Sequence, residues 1–275
     1  MKGDGGSLWY HSEPGEVKSY GNTSGCRNED AQGNIWIGTI SGLTKYDGKT
    51  FSTFTQSHGL AGDYINSLTA DKNGNLWIAT TEGITIYDGK TFSSLTKKNG
   101  LPANDISLIY ADKKGNIWMN SVRGVSKIVF TSKDSQDRSF DNYSVVNGIY
   151  DSTVTSITED GYGNTWFGTG NGVLKYDGVH FKKYSEKEGL SDNAIQAVMK
   201  EEGSDDIWVG TEKGLNRISA SGVVESFRIS QTPNGNKIGK LFEDAEGNLW
   251  IGTSNGLYRF RDPSVATFAD NEGLR

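Results

Sequence analysis

The feature that most constrains this chain is a tryptophan in a fixed setting that recurs six times. The stretches are "DAQGNIWIGT" from Asp30, "DKNGNLWIAT" from Asp71, "DKKGNIWMNS" from Asp112, "DGYGNTWFGT" from Asp160, "EGSDDIWVGT" from Glu202 and "DAEGNLWIGT" from Asp244. The tryptophans Trp36, Trp77, Trp118, Trp166, Trp208 and Trp250 are spaced by 41, 41, 48, 42 and 42 residues. A constant period of this size marks a repeat architecture, in which one supersecondary unit is copied along the chain.

Residues 63–101 serve as the type unit. "YINSLTAD" reads as a strand, "KNGN" as a turn, and "LWIATT" as a second strand rich in β-branched and aromatic residues. "EG" turns the chain again, "ITIYD" is a third strand, "GK" a third turn and "TFSSLT" a fourth strand. "KKNGLPAND" then leads onward. Four short strands separated by glycine turns are the pattern of an antiparallel meander. Composition agrees, with 36 glycines, 4 prolines and 34% hydrophobic residues spread thinly over many strands. A single thin meander cannot bury both faces, but six stacked around an axis can. The fold class expected is therefore an all-β propeller of four-stranded antiparallel blades.

The domain expected is one propeller over residues 1–275, with 1–21 as an extra hairpin or partial blade and 22–275 as six repeats. "SLWYHSEPGEVKSY" at 7–20 aligns with "GLNRISASGVVESF" at 214–227, so the start reads as the third and fourth strands of one further blade. The blade count is left at six or seven.

The net charge is −6 and no basic stripe interrupts it. Nucleic acid is not an expected partner. No apolar run approaches the length of a membrane helix. "MKGDGGS" lacks the apolar core of a signal peptide, so an exported parent would have lost its leader. The single cysteine, Cys26, allows no intrachain disulfide and no thiolate metal cage.

Each tryptophan is expected to fill space between blades, and each "DxxGN" aspartate to accept turn N–H groups. The turn departs from a calcium loop, which needs further oxygen ligands and a closing glutamate. No metal and no cofactor are expected.

The motif set "D-x-x-G-N-[IL]-W-[IV]-G-T", "G-[LI]-x-x-[YF]-D-G" and "G-L-x-x-N-x-I" resembles the two-component regulator propeller repeat. The resemblance covers about residues 22–275. It implies an extracytoplasmic sensor portion of the kind found in hybrid two-component regulators, many of which respond to oligosaccharides. Similar repeats occur in exported proteins without a kinase. Three units depart from the pattern. The third has Met119–Ser121 in place of "IGT" and an insertion around "TSKDSQDRSF". The fifth has "GSDD", and the first has "SGCRNED" ahead of its turn.

Up-and-down strands sort the connections onto two ends of the blades. One end collects the repetitive "DxxGN" and "YDGK" turns. The other collects the "TxxG" turns and the variable links "SHGLAGDY", "NGLPAND", "NGIYDST", "EGLSDNA" and "QTPNGNK". Variable loops on a rigid scaffold are where binding concentrates. The candidate ligand-binding residues on that end are Tyr64, Asn104, Asp105, Arg123, Tyr150, Asp151, Asn193, Glu212 and Lys213. Amides, carboxylates, cations and flat rings suit sugar hydroxyls and other small polar ligands.

The function expected is a non-catalytic sensor-type propeller recognising an oligosaccharide or other small polar ligand. Any signal would pass to a partner protein or to signalling domains absent from this chain. A protein–protein scaffold is the alternative. An enzyme is the third reading, because "IWVGTEKGLNRISASGVVESF" resembles the virginiamycin B lyase repeat, a family that uses histidine and glutamate near the axis. The three histidines, His11, His58 and His180, map to different places and offer no shared general base. No "GxSxG", "HExxH" or phosphate loop is present.

Overall fold

The computed structural model describes residues 7–13, 16–22, 26–30, 32–130, 138–143, 154–232, 234–261 and 264–268. They form six four-stranded antiparallel sheets and one two-stranded sheet. Two compact units, Met1–Ser144 and Val145–Arg275, carry them. The first unit holds the hairpin Ser7–Glu13 with Glu16–Asn22, followed by blades 1, 2 and 3. The second holds blades 4, 5 and 6.

Blade 2 is typical. Its strands run Ile65–Ala70, Leu76–Thr80, Gly83–Tyr87 and Phe92–Leu95, each hydrogen-bonded to the next in the chain. The sequence-based strands fall on these segments. Blade 1 opens with only Arg27–Glu29, three residues, at the point where "SGCRNED" breaks the repeat.

In blades 1, 2, 4 and 5 the second strand carries the tryptophan into an apolar layer shared with the following blade. Between blades 1 and 2 the layer contains Trp36, Leu43, Leu60, Ile65, Leu76 and Ile78. Between blades 4 and 5 it contains Trp166, Val173, Tyr184, Ile195, Ile207 and Val209. The glycine of "IWIGT" permits the approach. A Cβ on Gly38 would lie 2.5 Å from Cγ2 of Ile65 on the next blade's first strand.

The "DxxGN" turn is a side-chain lock. In blade 4, Oδ1 of Asp160 accepts the N–H of Tyr162 and Asn164, at 3.0 and 2.9 Å. Its Oδ2 accepts the Asn164 amide at 2.8 Å and the Trp166 indole Nε1–H at 2.9 Å. Asp30, Asp71, Asp112 and Asp244 take the same indole bond from Trp36, Trp77, Trp118 and Trp250. The aspartate thus shapes the turn and also satisfies the one polar atom of a buried ring. Blade 5 has a longer turn, and Glu201 takes over. It accepts Trp208 Nε1–H at 3.2 Å and Arg217 at 2.7 Å.

These bonds hold the carboxylates of Asp30, Asp160 and Asp244 below their ordinary range. Asp244 falls to about 2, first through Trp250 and then, against the opposing effect of burial, through Asn248 and Glu246. For Asp30 and Asp160 burial is the largest single influence and pushes upward, but the hydrogen bonds together outweigh it. Since the folded values lie below the unfolded value of about 3.9, the stability is fully present above that pH. It is lost as pH falls through the folded values. We expect the denaturant midpoint to hold steady down to about pH 4 and to drop between about pH 4 and 2.

The "TxxG" turns are built on a second device. Thr39 Oγ1 donates to the Gly42 carbonyl at 2.9 Å and accepts Ser41 N–H at 3.1 Å. Gly42 has φ +127°, and a Cβ there would meet the Phe54 carbonyl oxygen at 2.5 Å. Gly42→Ala should cost roughly 1–3 kcal/mol from backbone strain alone, with the clash adding to it. Equilibrium unfolding measures the loss. A neutral effect would mean that blade 1 can repack around this turn.

Candidate functional site

The links that follow blades 1, 2 and 4 begin with a short 3-10 turn, which the sequence reading did not foresee. Thr96, ahead of Lys97–Asn99, caps it reciprocally with Asn99, and Gly100 closes it at φ +98°. Leu101 anchors the link in the core at 3% exposure. Ser185 and Glu188 do the same around Glu186–Glu188.

This construction fixes the roles of two of the chosen asparagines. Asn104 Oδ1 accepts Lys97 N–H at 2.7 Å, and Asn193 Oδ1 accepts Glu186 N–H at 3.0 Å. Both hold the link closed across seven residues, and the Asn193 amide also donates to Glu186 Oε2 at 2.9 Å. Tyr64, Asp105 and Arg123 are exposed on the variable end of the first unit. Among the described residues, Arg123 has only its backbone N–H bonded, to Ser121 Oγ at 3.2 Å. Tyr150 and Asp151 lie outside the described residues.

In the second unit, Glu212 and Lys213 line a pocket of about 540 Å³ on the variable end of blade 5, with Ser191, Ser226, Phe227, Arg228 and Asn236. The two residues sit on the Thr211–Gly214 turn, closed by Thr211 Oγ1 donating to Gly214 O at 2.9 Å. Lys213 Nζ lies 2.5 Å from Asp192 and 3.9 Å from Glu186. The Asp192 bond lifts the lysine above its ordinary value. Glu212 pairs with Lys237 at 3.0 Å. Asn193, Glu212 and Lys213 therefore belong to one charged neighbourhood.

The pocket floor is Phe227, held against Trp208 and Phe260 with ring centroids 5.7 and 5.4 Å away. The wall is prearranged by Asn216, which is fully buried. Its Oδ1 accepts Ser191 N–H at 2.9 Å and Ser226 Oγ–H at 2.8 Å. Asn236 Oδ1 accepts Ile229 N–H at 2.8 Å, and its amide donates to Ser230 O at 2.7 Å. Arg228 donates to Ser230 O and Gln231 O, which points its fork along the rim. Ser191 Oγ contacts Thr211 Oγ1 and Asn216, not a histidine or carboxylate, so it is not set up as a nucleophile. A pocket with hydroxyls, an amide and paired charges is suited to holding a polar molecule.

The sequence reading missed Phe227, Arg228, Ser191, Ser226 and Asn236. Asn236 lies in the variable link "QTPNGNK", which was a usable signal. Phe227 occupies a strand position filled by Phe54 and Tyr184 elsewhere and looked purely structural.

A family model for the two component regulator propeller matches residues 59–82, 100–123, 151–171 and 232–255. These four segments are similar to the two-component regulator propeller repeat. The matched segments span the links, first strands and tryptophan strands described above. No curated protein matches the chain. Among solved structures, the extracellular domain of a putative hybrid two-component system from B. thetaiotaomicron aligns with a TM-score of 0.73 and 21% identity, over 96% of this chain and 38% of that one. PorZ, a surface component of the type-IX secretion system of Porphyromonas gingivalis, gives 0.68 and 20%, over 86% and 38%. Virginiamycin B lyase from Staphylococcus aureus gives 0.70 and 16%, over 93% and 85%. At these identities the likeness is one of fold, and the fold is the β-propeller. The chain spans 38% of the length of the first two proteins.

Proposed function

We propose that these repeats form a non-catalytic, extracytoplasmic ligand-binding propeller of sensor type, and that the Phe227 pocket receives a small polar ligand. The observation that carries this reading is the pocket itself. A fixed aromatic floor faces Ser191, Ser226 and Asn236, with Glu212, Lys213 and Arg228 at the rim. An aromatic ring takes a sugar face, and the rim offers donors and acceptors to hydroxyls, so an oligosaccharide is the ligand class that fits best. The repeat family and the hybrid two-component relative support a sensor role, with the signal passing to domains or partners outside this chain.

A glycan library screened by thermal shift finds the ligand, because binding to the folded state alone raises apparent stability. Titration calorimetry then reads Lys213→Ala, with Lys90→Ala on the opposite end of the blades as the control. We expect binding to weaken in the first and to persist in the second. Full affinity in Lys213→Ala and in Phe227→Leu would refute the pocket.

The second reading is a protein-binding scaffold, favoured by the first unit. Ile40, Tyr64 and Val122 are 43%, 45% and 70% exposed on its variable end. Asp105 and Arg123 are exposed on the same end. In that reading Arg123→Ala weakens a partner complex and leaves the glycan affinity unchanged.

A further inference from the structure

The three charged residues of the Phe227 pocket are not equally matched. Glu212 and Lys213 each face an opposite charge, Lys237 at 3.0 Å and Asp192 at 2.5 Å. Among the described residues, the Arg228 guanidinium meets only carbonyl oxygens, Ser230 O from Nε at 3.0 Å and Gln231 O from Nη2 at 3.2 Å. A guanidinium carries five N–H donors in a planar fork. With Nε–H and one Nη2 hydrogen spent, both Nη1 hydrogens and the other Nη2 hydrogen remain. They make up the end of the fork, an edge that can hold two carboxylate oxygens side by side.

The uncharged groups of the pocket are committed inward. Asn236 gives its amide to Ser230 O and Thr232 O at 2.7 and 2.9 Å, and its Oδ1 accepts Ile229 and Ser230 N–H. Ser226 Oγ lies 2.8 Å from both Asn216 Oδ1 and Gly189 O. Arg228 is therefore the lining cation whose charge the pocket leaves unmatched. Glu212 does not oppose an anion strongly, because Lys237 on its Oε1 offsets it, and its Oε2 is left to accept a hydroxyl.

We propose that the ligand of the Phe227 pocket is an acidic sugar, a hexuronate unit whose carboxylate seats on the end of the Arg228 fork. This rests on the reading of the pocket as a sugar site and adds the charge. The sugar face lies on Phe227, a hydroxyl donates to Glu212 Oε2, and the carboxylate supplies the charge that Arg228 lacks. Arg228 is exposed, so water and salt weaken the pair. Its contribution to affinity is about two- to fivefold at low salt.

The test titrates the whole chain with the methyl glycosides of glucuronate, galacturonate and mannuronate, each beside its neutral hexose counterpart. Saturation-transfer NMR reads the weak affinities. We expect at least one uronate to bind about two- to fivefold tighter than its counterpart, and the preference to shrink as sodium chloride is raised. Arg228→Gln should bring that uronate level with its counterpart. Arg228→Lys keeps the charge but loses the fork and should fall between. It carries the test if circular dichroism shows that Arg228→Gln does not fold. Equal binding of every uronate and its hexose overturns this proposal and leaves the sugar pocket standing. A preference that survives in Arg228→Gln overturns it too, and a hexose 6-sulfate that outbinds all three uronates overturns the carboxylate assignment. If the uronate binds Phe227→Leu as tightly as the wild type, or if none of the six sugars binds, the pocket reading falls together with this one.

Discussion

Trp166→Ala lowers the unfolding free energy by roughly 3–5 kcal/mol, the range for truncating a fully buried large aromatic. The ring is 1% exposed and packs against Val173, Ile195 and Val209 in the layer between blades 4 and 5. It stacks on Tyr184 at 5.6 Å and lies under Lys175 at 4.9 Å. Removing it opens a cavity, leaves Asp160 without one of its donors, and strips Lys175 of its ring. Trp166→Phe keeps much of the volume but loses the Nε1–H, and should fall between wild type and alanine. Chemical denaturation followed by circular dichroism measures both. A loss below about 1 kcal/mol for alanine would mean that the layer collapses onto the gap at little cost.

Asp160→Ala has the second-largest expected effect, roughly 2–4 kcal/mol. It leaves the buried Trp166 N–H without its acceptor, and an orphaned buried donor costs about 1–3 kcal/mol. The turn also loses acceptors for Tyr162, Asn164 and the Asn164 amide. Asp160→Asn discriminates between shape and charge. One oxygen is kept for the backbone, but an NH2 group now opposes the indole N–H and the Asn164 amide. We expect Asn to recover only part of the loss. Full recovery would show that the turn needs an acceptor but not a carboxylate.

The repeat made the fold readable. A period near 42 residues, with tryptophan always on the second strand, determines which strands neighbour each other before any contact is known. The aspartate was legible only in part. Its backbone bonds follow from turn chemistry, but the indole bond spans six residues and shows only when turn and strand are seen together. The site was less legible, because an exposed asparagine looks the same whether it meets a ligand or closes a loop. Asn104 and Asn193 recur at one position after Gly–Leu, and that recurrence is the mark of a structural task.

The span of the tryptophan lock bears on time. The bonds of Asp71 to Asn73, Asn75 and Trp77 all close within six residues. Blade-to-blade bonds such as Ser67 to Ile109 wait for chain 42 residues farther on. Hairpins form in about 1–10 μs, and contacts close in sequence form before distant ones. A chain leaving the ribosome can therefore close each turn, and set each indole, before the neighbouring blade has been synthesised. Assembly then becomes the docking of pieces whose polar groups are already satisfied, and an error in one blade need not erase its neighbours.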